Sequence, residues 1–346
     1  MNKIIEEDVI TITNNIEYEK LQGKNILITG ATGMLASYVV FLLHYLNEVK
    51  QMDIGIWLLL RNEKKAKIKF GDILKDASIH LLVQDVCLPI GISERIDYVI
   101  HGASMADPHS IADHPFEIIK ANTMGTIQVC EFARRHKSKI VFLSTREVYG
   151  EVSGDPTTLN EKMYGALDPM NARNCYPESK RAAEATLLSN YNEYGVPFNI
   201  VRIAHAFGPG MAICNDGRIM ADLINNMVRH EAIILKSDGK MKRAFCYVAD
   251  AVYAIMLVLL SGNNGAVYNI ANESEEIRII DLANKIAKEI GTRVNFQRQN
   301  KAENSRQYLQ TRRVALDTTE IRKLGWRPQT TLWEGIMRTY DFQISE

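Results

Sequence analysis

Asn25-Ile26-Leu27-Ile28-Thr29 is a short apolar run ending in Gly30-Ala31-Thr32-Gly33-Met34-Leu35-Ala36, and an apolar helical stretch over 36–49 follows it. A strand apolar at nearly every position must be buried on both faces. The glycines permit a tight turn, and the helix that follows presents unpaired N–H groups that favour an anion. Further apolar runs recur at 54–60, 79–83, 98–101, 140–144 and 198–201, with helical stretches between them. That alternation predicts an α/β chain built on a Rossmann-type doubly wound parallel sheet.

Beyond Phe207-Gly208-Pro209-Gly210 the pattern loosens. Helices are expected at 218–229, 249–260 and 280–290, the last closed by Gly291, with strands at 244–248 and 267–270. Asp317-Thr318-Thr319-Glu320 resembles a capping box for a short helix ended by Gly325, and the polar stretch 301–313 reads as a surface loop over a site. Residues 22–204 and 241–272 are therefore expected to form the NAD(P)-binding domain. Residues 205–240 and 273–346 would form a smaller C-terminal α/β substrate lobe, with 1–21 an N-terminal extension.

Composition narrows the partners. Lys+Arg and Asp+Glu both total 41, so no global field argues for nucleic acid or an anionic membrane. The longest apolar runs are too short to span a bilayer. Five scattered cysteines (Cys87, Cys130, Cys175, Cys214, Cys246) suit a reducing compartment better than a disulfide framework. Glu6, Glu7 and Asp8 stand where a signal peptide needs an apolar core, so a cytoplasmic protein is expected.

Tyr176-Pro177-Glu178-Ser179-Lys180 puts a phenol one helical turn before an ammonium. The cation is expected to favour the phenolate and lower the tyrosine pKa, which suggests a proton shuttle for alcohol–ketone interconversion. With 14 tyrosines, about one Tyr-x-x-x-Lys spacing arises by chance, so the pair gains weight only from its surroundings. The segment after the second strand reads Leu60-Arg61-Asn62-Glu63-Lys64-Lys65, where an acidic residue would contact the ribose hydroxyls of NAD. Arg61 and the lysines would instead cradle a 2′-phosphate, which tilts the cofactor toward NADP(H), with NAD(H) the alternative. Asp85 and Val86, after the third strand, would face the adenine, or Asp85 would cap its own loop. His101, His109 and His114 raise the question of a metal, but no compact ligand set accompanies them, and no metal is expected.

Seven segments then fall in order: Gly30-x-x-Gly33-x-x-Ala36, His101-Gly102-Ala103-Ser104, Asn122-x-x-Gly125-Thr126, Ser144-Thr145-Arg146-Glu147-Val148-Tyr149-Gly150, Tyr176-x-x-x-Lys180, Val201-Arg202-x-x-His205-x-x-Gly208-Pro209 and Arg243-Ala244-Phe245-Cys246-Tyr247-Val248-x-Asp250. In this series the chain resembles the extended short-chain dehydrogenase/reductases, in their nucleotide-sugar epimerase/dehydratase/decarboxylase branch, from about Lys24 to Ile336. The resemblance implies a catalytic set of Tyr176, Lys180, Thr145 and Glu147. It places Gly30, Thr32, Gly33, Met34 and Leu35 on the cofactor pyrophosphate. Gly102, Ala103, Ser104, Asn122, Tyr176 and Lys180 would lie along the rest of the cofactor. Arg218 and Arg243 would contact the diphosphate of a nucleoside-diphosphate sugar, and His205 would replace an asparagine that contacts substrate phosphate. Pairing of Pro115–His136 and 179–194 between two copies implies a homodimer.

The departures matter as much. The dehydratases carry Asp-Glu after the catalytic threonine, whereas this chain has Arg146-Glu147. An arginine stays charged and cannot donate the proton that a departing hydroxyl needs, so dehydration is not expected. Arg146 would pin an anionic group of the substrate, or pair with Glu147 or Glu151. Three functions remain open: net NADPH-dependent reduction of a nucleotide-linked ketose or keto-sugar, favoured by Arg61; redox-neutral decarboxylation or epimerisation with retained NAD, favoured by Glu147; and a non-catalytic nucleotide-binding scaffold, against which Thr145, Tyr176 and Lys180 argue.

Overall fold

A computed structural model describes residues 1–154, 156–297 and 314–345. Seven strands form one parallel sheet: β1 (Asn25–Thr29), β2 (Gly55–Leu60), β3 (Ile79–Val83), β4 (Tyr98–His101), β5 (Lys139–Thr145), β6 (Phe198–Ile203) and β7 (Val267–Ile270). Their spatial order is β7-β6-β5-β4-β1-β2-β3. The winding reverses between β1 and β4, so the crevice beyond their carboxyl ends, where Thr29 pairs with His101, is the topological switch point.

Both faces of the sheet are buried, as the unbroken apolar runs require, except along the edge strand β3, where His80, Leu81 and Val83 are exposed. Alternate residues of β1 serve opposite cores, Ile26 and Ile28 on one side and Leu27 on the other. Along β5, Val141 and Leu143 divide from Ile140 and Phe142 in the same way. In chain order the longer helices are α1 (Lys3–Thr13), α2 (Met34–Lys50), α3 (Pro115–His136), α4 (Cys175–Tyr194), α5 (Ile219–Arg229), α6 (Val248–Ser261), α7 (Ile279–Glu289) and α8 (Leu332–Ser345). Helices α1, α2 and α6 cover one face, while Phe132 and Ala133 of α3 and Ala183 and Leu187 of α4 cover the other. Lys139 opens β5 and donates to the carbonyls of Val258, Leu259 and Gly262 at the end of α6, a half-buried cation where the helix dipole favours one.

Most expected elements recur within a residue or two. The capping box does not: Thr318 makes no side-chain cap, and Asp317 Oδ1 instead accepts from Thr319 N and Oγ1 at 2.9 and 2.6 Å. A short Asp side chain folds back on its own turn more readily than it reaches a helix three residues on. The expected loop at 301–313 lies outside the described residues. Among the described residues no helix is long and apolar enough to cross a membrane.

The N-terminal segment is an integral helix. Ile5, Val9 and Ile12 recur at helical spacing and are buried against the sheet's helices, a pattern that the reading of 1–21 as an extension passed over. Asp8 on the same face is buried and accepts from Tyr38 Oη at 2.9 Å, Tyr247 Oη at 2.8 Å and Arg338 Nη2 at 2.9 Å. One carboxylate thus ties α1 to α2, to the strand entering α6 and to the C-terminal helix Leu332–Ser345. Removing one member of a buried charge pair leaves the other uncompensated, at about 3–5 kcal/mol. Asp8→Ala is expected to lower the urea unfolding free energy by about 3 kcal/mol. A cost below about 0.5 kcal/mol, the scale of ordinary surface substitutions, would make α1 a loose appendage.

Candidate active site

The turn after β1 is built around a contact that only glycine tolerates. Gly30 has φ +67°, and a Cβ there would stand 2.8 Å from both Ala103 Cα and Gly102 O. The ends of β1 and β4 therefore touch backbone to backbone. Gly33 is the N-cap of α2 and has no side chain to satisfy the first-turn N–H groups. Those donors face a cleft of about 1910 Å³, lined here by Thr32, Gly33, Met34 and Leu35. A close-approach glycine turn followed by uncapped helix amides fits a dinucleotide pyrophosphate.

A buried polar chain braces this cradle. Thr29 Oγ1 lies 2.7 Å from His101 Nδ1, and His101 Nε2 lies 3.1 Å from Thr126 Oγ1. Because the Thr126 hydroxyl donates to Asn122 O, it must accept from the ring, which puts the proton on Nε2 and leaves Nδ1 to accept from Thr29. Burial holds His101 down to about 3, so it stays neutral. Both ring nitrogens are engaged by threonines, so His101 is a structural strut. Asn122 continues the strut: its Nδ2 donates to Ser179 Oγ at 2.9 Å, and Ser179 Oγ donates to the Tyr176 carbonyl. Asn122 is fully buried beneath the cleft wall and reaches it through Ser179 and the Tyr176 carbonyl. Gly125, one turn on, is needed because a Cβ there would meet Val86 at 2.7 Å.

At the far end of the cleft stand Arg61 and Lys65, just past β2. Asp85 also lines it, but its Oδ1 accepts from Cys87 N at 2.9 Å, the loop-cap alternative. That amide, with a lesser contribution from Arg61, holds the Asp85 carboxyl below its usual range.

The chemistry-bearing end sits where β5 meets the first turn of α4. Tyr176 and Lys180 are both buried and both line the cleft, with Thr145, Gly102, Ala103 and Ser104 around them. Lys180 Nζ donates to Leu143 O at 2.7 Å and lies 4.5 Å from the centre of the Phe142 ring. Here the structure departs from the expected electrostatics. Burial raises the Tyr176 phenol well above its ordinary value and Glu147 raises it further; the Thr145 hydrogen bond, Arg173 and Arg218 pull it down. Lys180 is not among the largest influences on the phenol, and burial pushes its own pKa to about 7. A dry pocket penalises phenolate and ammonium alike.

Two residues that the motif reading passed over shape this end. Arg173, three positions before Tyr176, pairs through Nη2 with Glu147 Oε1 at 2.9 Å. Glu184, one turn past Lys180, accepts from Ser144 Oγ at 2.6 Å and from Arg202 Nη2 at 2.6 Å. Their helical offsets from Tyr176 and Lys180 were the only available signal.

The expected substrate contacts all line the same cleft. Arg146 Nη2 donates to Val314 O at 3.2 Å. Arg218 is gripped by Asp216 through Nε at 2.5 Å and Nη2 at 2.7 Å. His205 takes a left-handed backbone conformation, φ +46°, with its ring 5.9 Å from that of Phe245. Arg243 lies on the short strand Lys242–Arg243, paired antiparallel with Ile277–Arg278.

This geometry has counterparts among known proteins. The chain is 30% identical over 320 residues, 92% of its length and 89% of the relative's, to UDP-glucuronic acid decarboxylase 6 of Arabidopsis thaliana. In fold it matches the UDP-glucose 4-epimerase of Thermotoga maritima, solved with UDP-glucose, at TM-score 0.77 and 21% identity, covering 93% of this chain and 99% of that one. It also matches a dTDP-glucose 4,6-dehydratase of Streptomyces venezuelae, solved with NAD, at TM-score 0.76 and 21% identity, covering 93% and 97%. The pattern of the NAD dependent epimerase/dehydratase family matches residues 26–271, from the first sheet strand to just past the last, and to that family the chain belongs.

Proposed function

We propose that the chain is a redox-neutral, NAD(P)-dependent nucleotide-sugar enzyme whose reaction is decarboxylation of a nucleoside-diphosphate uronate, as in its UDP-glucuronate decarboxylase relatives. One observation carries the reading: Thr145, Tyr176 and the Glu147 carboxylate line the inner end of one dinucleotide cradle, where Thr145 and Glu147 both bear on the phenol. The relatives' names and their coverage of 92% of the chain favour this reading over the net reduction that the sequence put first. Residues 205–240 and 273–346 would hold the nucleotide sugar, with Arg218 and Arg243 on its diphosphate. Exposed Phe116, Ile119 and Met124 on α3 and Leu188 on α4 support a homodimer through that face.

A nicotinamide in the cleft would supply the hydride acceptor and, later in the same turnover, the donor. Tyr176 would take the proton of the sugar 4-hydroxyl while Thr145 holds the same oxygen. Phenolate formation draws on the Thr145 hydrogen bond and on the charges of Arg173 and Arg218. A ketone at C4 makes the neighbouring carboxylate a β-keto acid, which loses CO2 and leaves an enolate needing one proton at C5. Arg146, where the dehydratases have their proton-donating aspartate, suits the uronate's anionic group and cannot drive loss of a hydroxyl. Net reduction stays as the second reading because Arg61 and Lys65, with no carboxylate directly after β2, suit the 2′-phosphate of a dissociable NADPH.

With UDP-glucuronate, the protein should release CO2 and form a UDP-pentose with no net change in nicotinamide absorbance; steady NADPH consumption with a keto-sugar would favour net reduction. Tyr176→Phe should lower kcat by about 10³-fold while cofactor affinity changes less than about twofold; near-normal turnover would remove the phenol from the mechanism. Arg61→Asp should weaken NADP about tenfold or more and leave NAD unharmed. Equal losses for both cofactors would show that Arg61 does not read the 2′-position.

Lys180 gives a pH test with a definite sign. Its proton leaves near pH 7 in the folded chain against an ordinary value of 10.5, so across that window the unfolded chain binds more protons. The penalty is full below pH 7 and relieved as pH rises. Without added cofactor, the Tm of wild type should gain on that of Lys180→Met between pH 7 and 9.5. Parallel curves would mean that Lys180 titrates normally.

A further inference from the structure

We propose that Arg173 is a positioning residue: it fixes the Glu147 carboxylate by one oxygen so that the other is turned into the reacting end of the cleft. The inference rests on the reading of Glu147 and Tyr176 as that end, and it names the device that sets Glu147.

The support is geometric. Arg173 is only 5% exposed and pairs through Nη2 with Glu147 Oε1 at 2.9 Å. The turn bearing it is pinned, with Arg173 N donating to Asn171 Oδ1 at 3.1 Å and Asn174 Nδ2 to Asp168 O at 2.9 Å. That turn runs directly into α4, so the guanidinium and the Tyr176 phenol are carried on one rigid piece. Glu147 Oε2 is buried, and among the described residues it has no hydrogen-bond partner. A buried carboxylate oxygen left unsatisfied is costly, and such an oxygen beside a reacting phenol is an acceptor held ready for a substrate hydroxyl or acid. A carboxylate on a four-residue 3₁₀ turn would otherwise sample several rotamers. The other charged or titratable groups bearing on this spot are Arg146 on the same turn, Cys175 and Tyr176 on α4, and Arg218 at the start of α5. Arg218 is occupied with Asp216.

The test is a double-mutant cycle on the full-length protein with UDP-glucuronate. Arg173→Met should lower kcat about 100-fold with KM within about threefold, since misplacing a reacting group costs on that order. Arg173→Lys should recover at least about tenfold of the loss. In a Glu147→Gln background the further change to Met should cost about tenfold or less, because the carboxylate it positions is gone and only the direct effect of its charge on Tyr176 remains. A full additional loss in that background, or no rescue by lysine, would overturn the inference and leave Arg173 a packing residue. Crystals of Arg173→Met decide the same point without turnover: Glu147 rotated away supports the role, and Glu147 unmoved refutes it. Should wild type fail to turn over UDP-glucuronate, the functional reading fails on that assay, while the crystal comparison still judges the clamp.

Discussion

The first turn of α4 is dry, and that dryness sets the terms for the rest of the site. Tyr176 and Lys180 are 7% and 3% exposed, so neither can take up its charged form cheaply. The phenol is held protonated and the ammonium pushed to about 7. A water-filled site would relax both shifts and would screen the cations that favour phenolate. In the proposed reaction, activation of the tyrosine would therefore come from groups fixed in place: the Thr145 hydroxyl, the guanidinium of Arg173 and that of Arg218.

Holding those groups fixed is the work of the fold beneath them. The strut from Thr29 through His101, Thr126, Asn122 and Ser179 joins the glycine turn of β1 to the carbonyl of Tyr176. Its members sit on β1, β4, α3 and α4, so any slip between sheet and helices breaks a buried hydrogen bond. On the opposite side, Glu184 draws Ser144 of β5 and Arg202 of β6 toward α4. The glycine turn and the first turn of α4 are thereby parts of one packed unit, and Arg173 extends that unit to Glu147.

The sheet was legible in the sequence because its inner strands are buried on both faces and cannot be mistaken for amphipathic ones; β3, equally apolar, is an exposed edge. Thr145, Tyr176 and Lys180 were legible because they stand at fixed offsets from strand and helix. What escaped notice was what distance in sequence conceals. Glu147 and Arg173 are 26 residues apart and meet only because α4 folds back under β5. Asp8 reaches Tyr247 and Arg338 across almost the whole chain. The direction of the Tyr176 shift was misjudged because helical spacing gives proximity but not solvation, and burial is the largest influence on that phenol. The part Asn122 plays in the buried strut was hidden for a related reason: a motif gives the residue but not its depth.

The central claim is that hydride leaves the sugar and returns to it within one turnover while Tyr176 carries the proton. Its most direct measurement follows deuterium from C4 of a labelled UDP-glucuronate in the presence of unlabelled cofactor. The account predicts a UDP-pentose that keeps the deuterium at C4. Deuterium appearing in free reduced nicotinamide, with an unlabelled product, would contradict it.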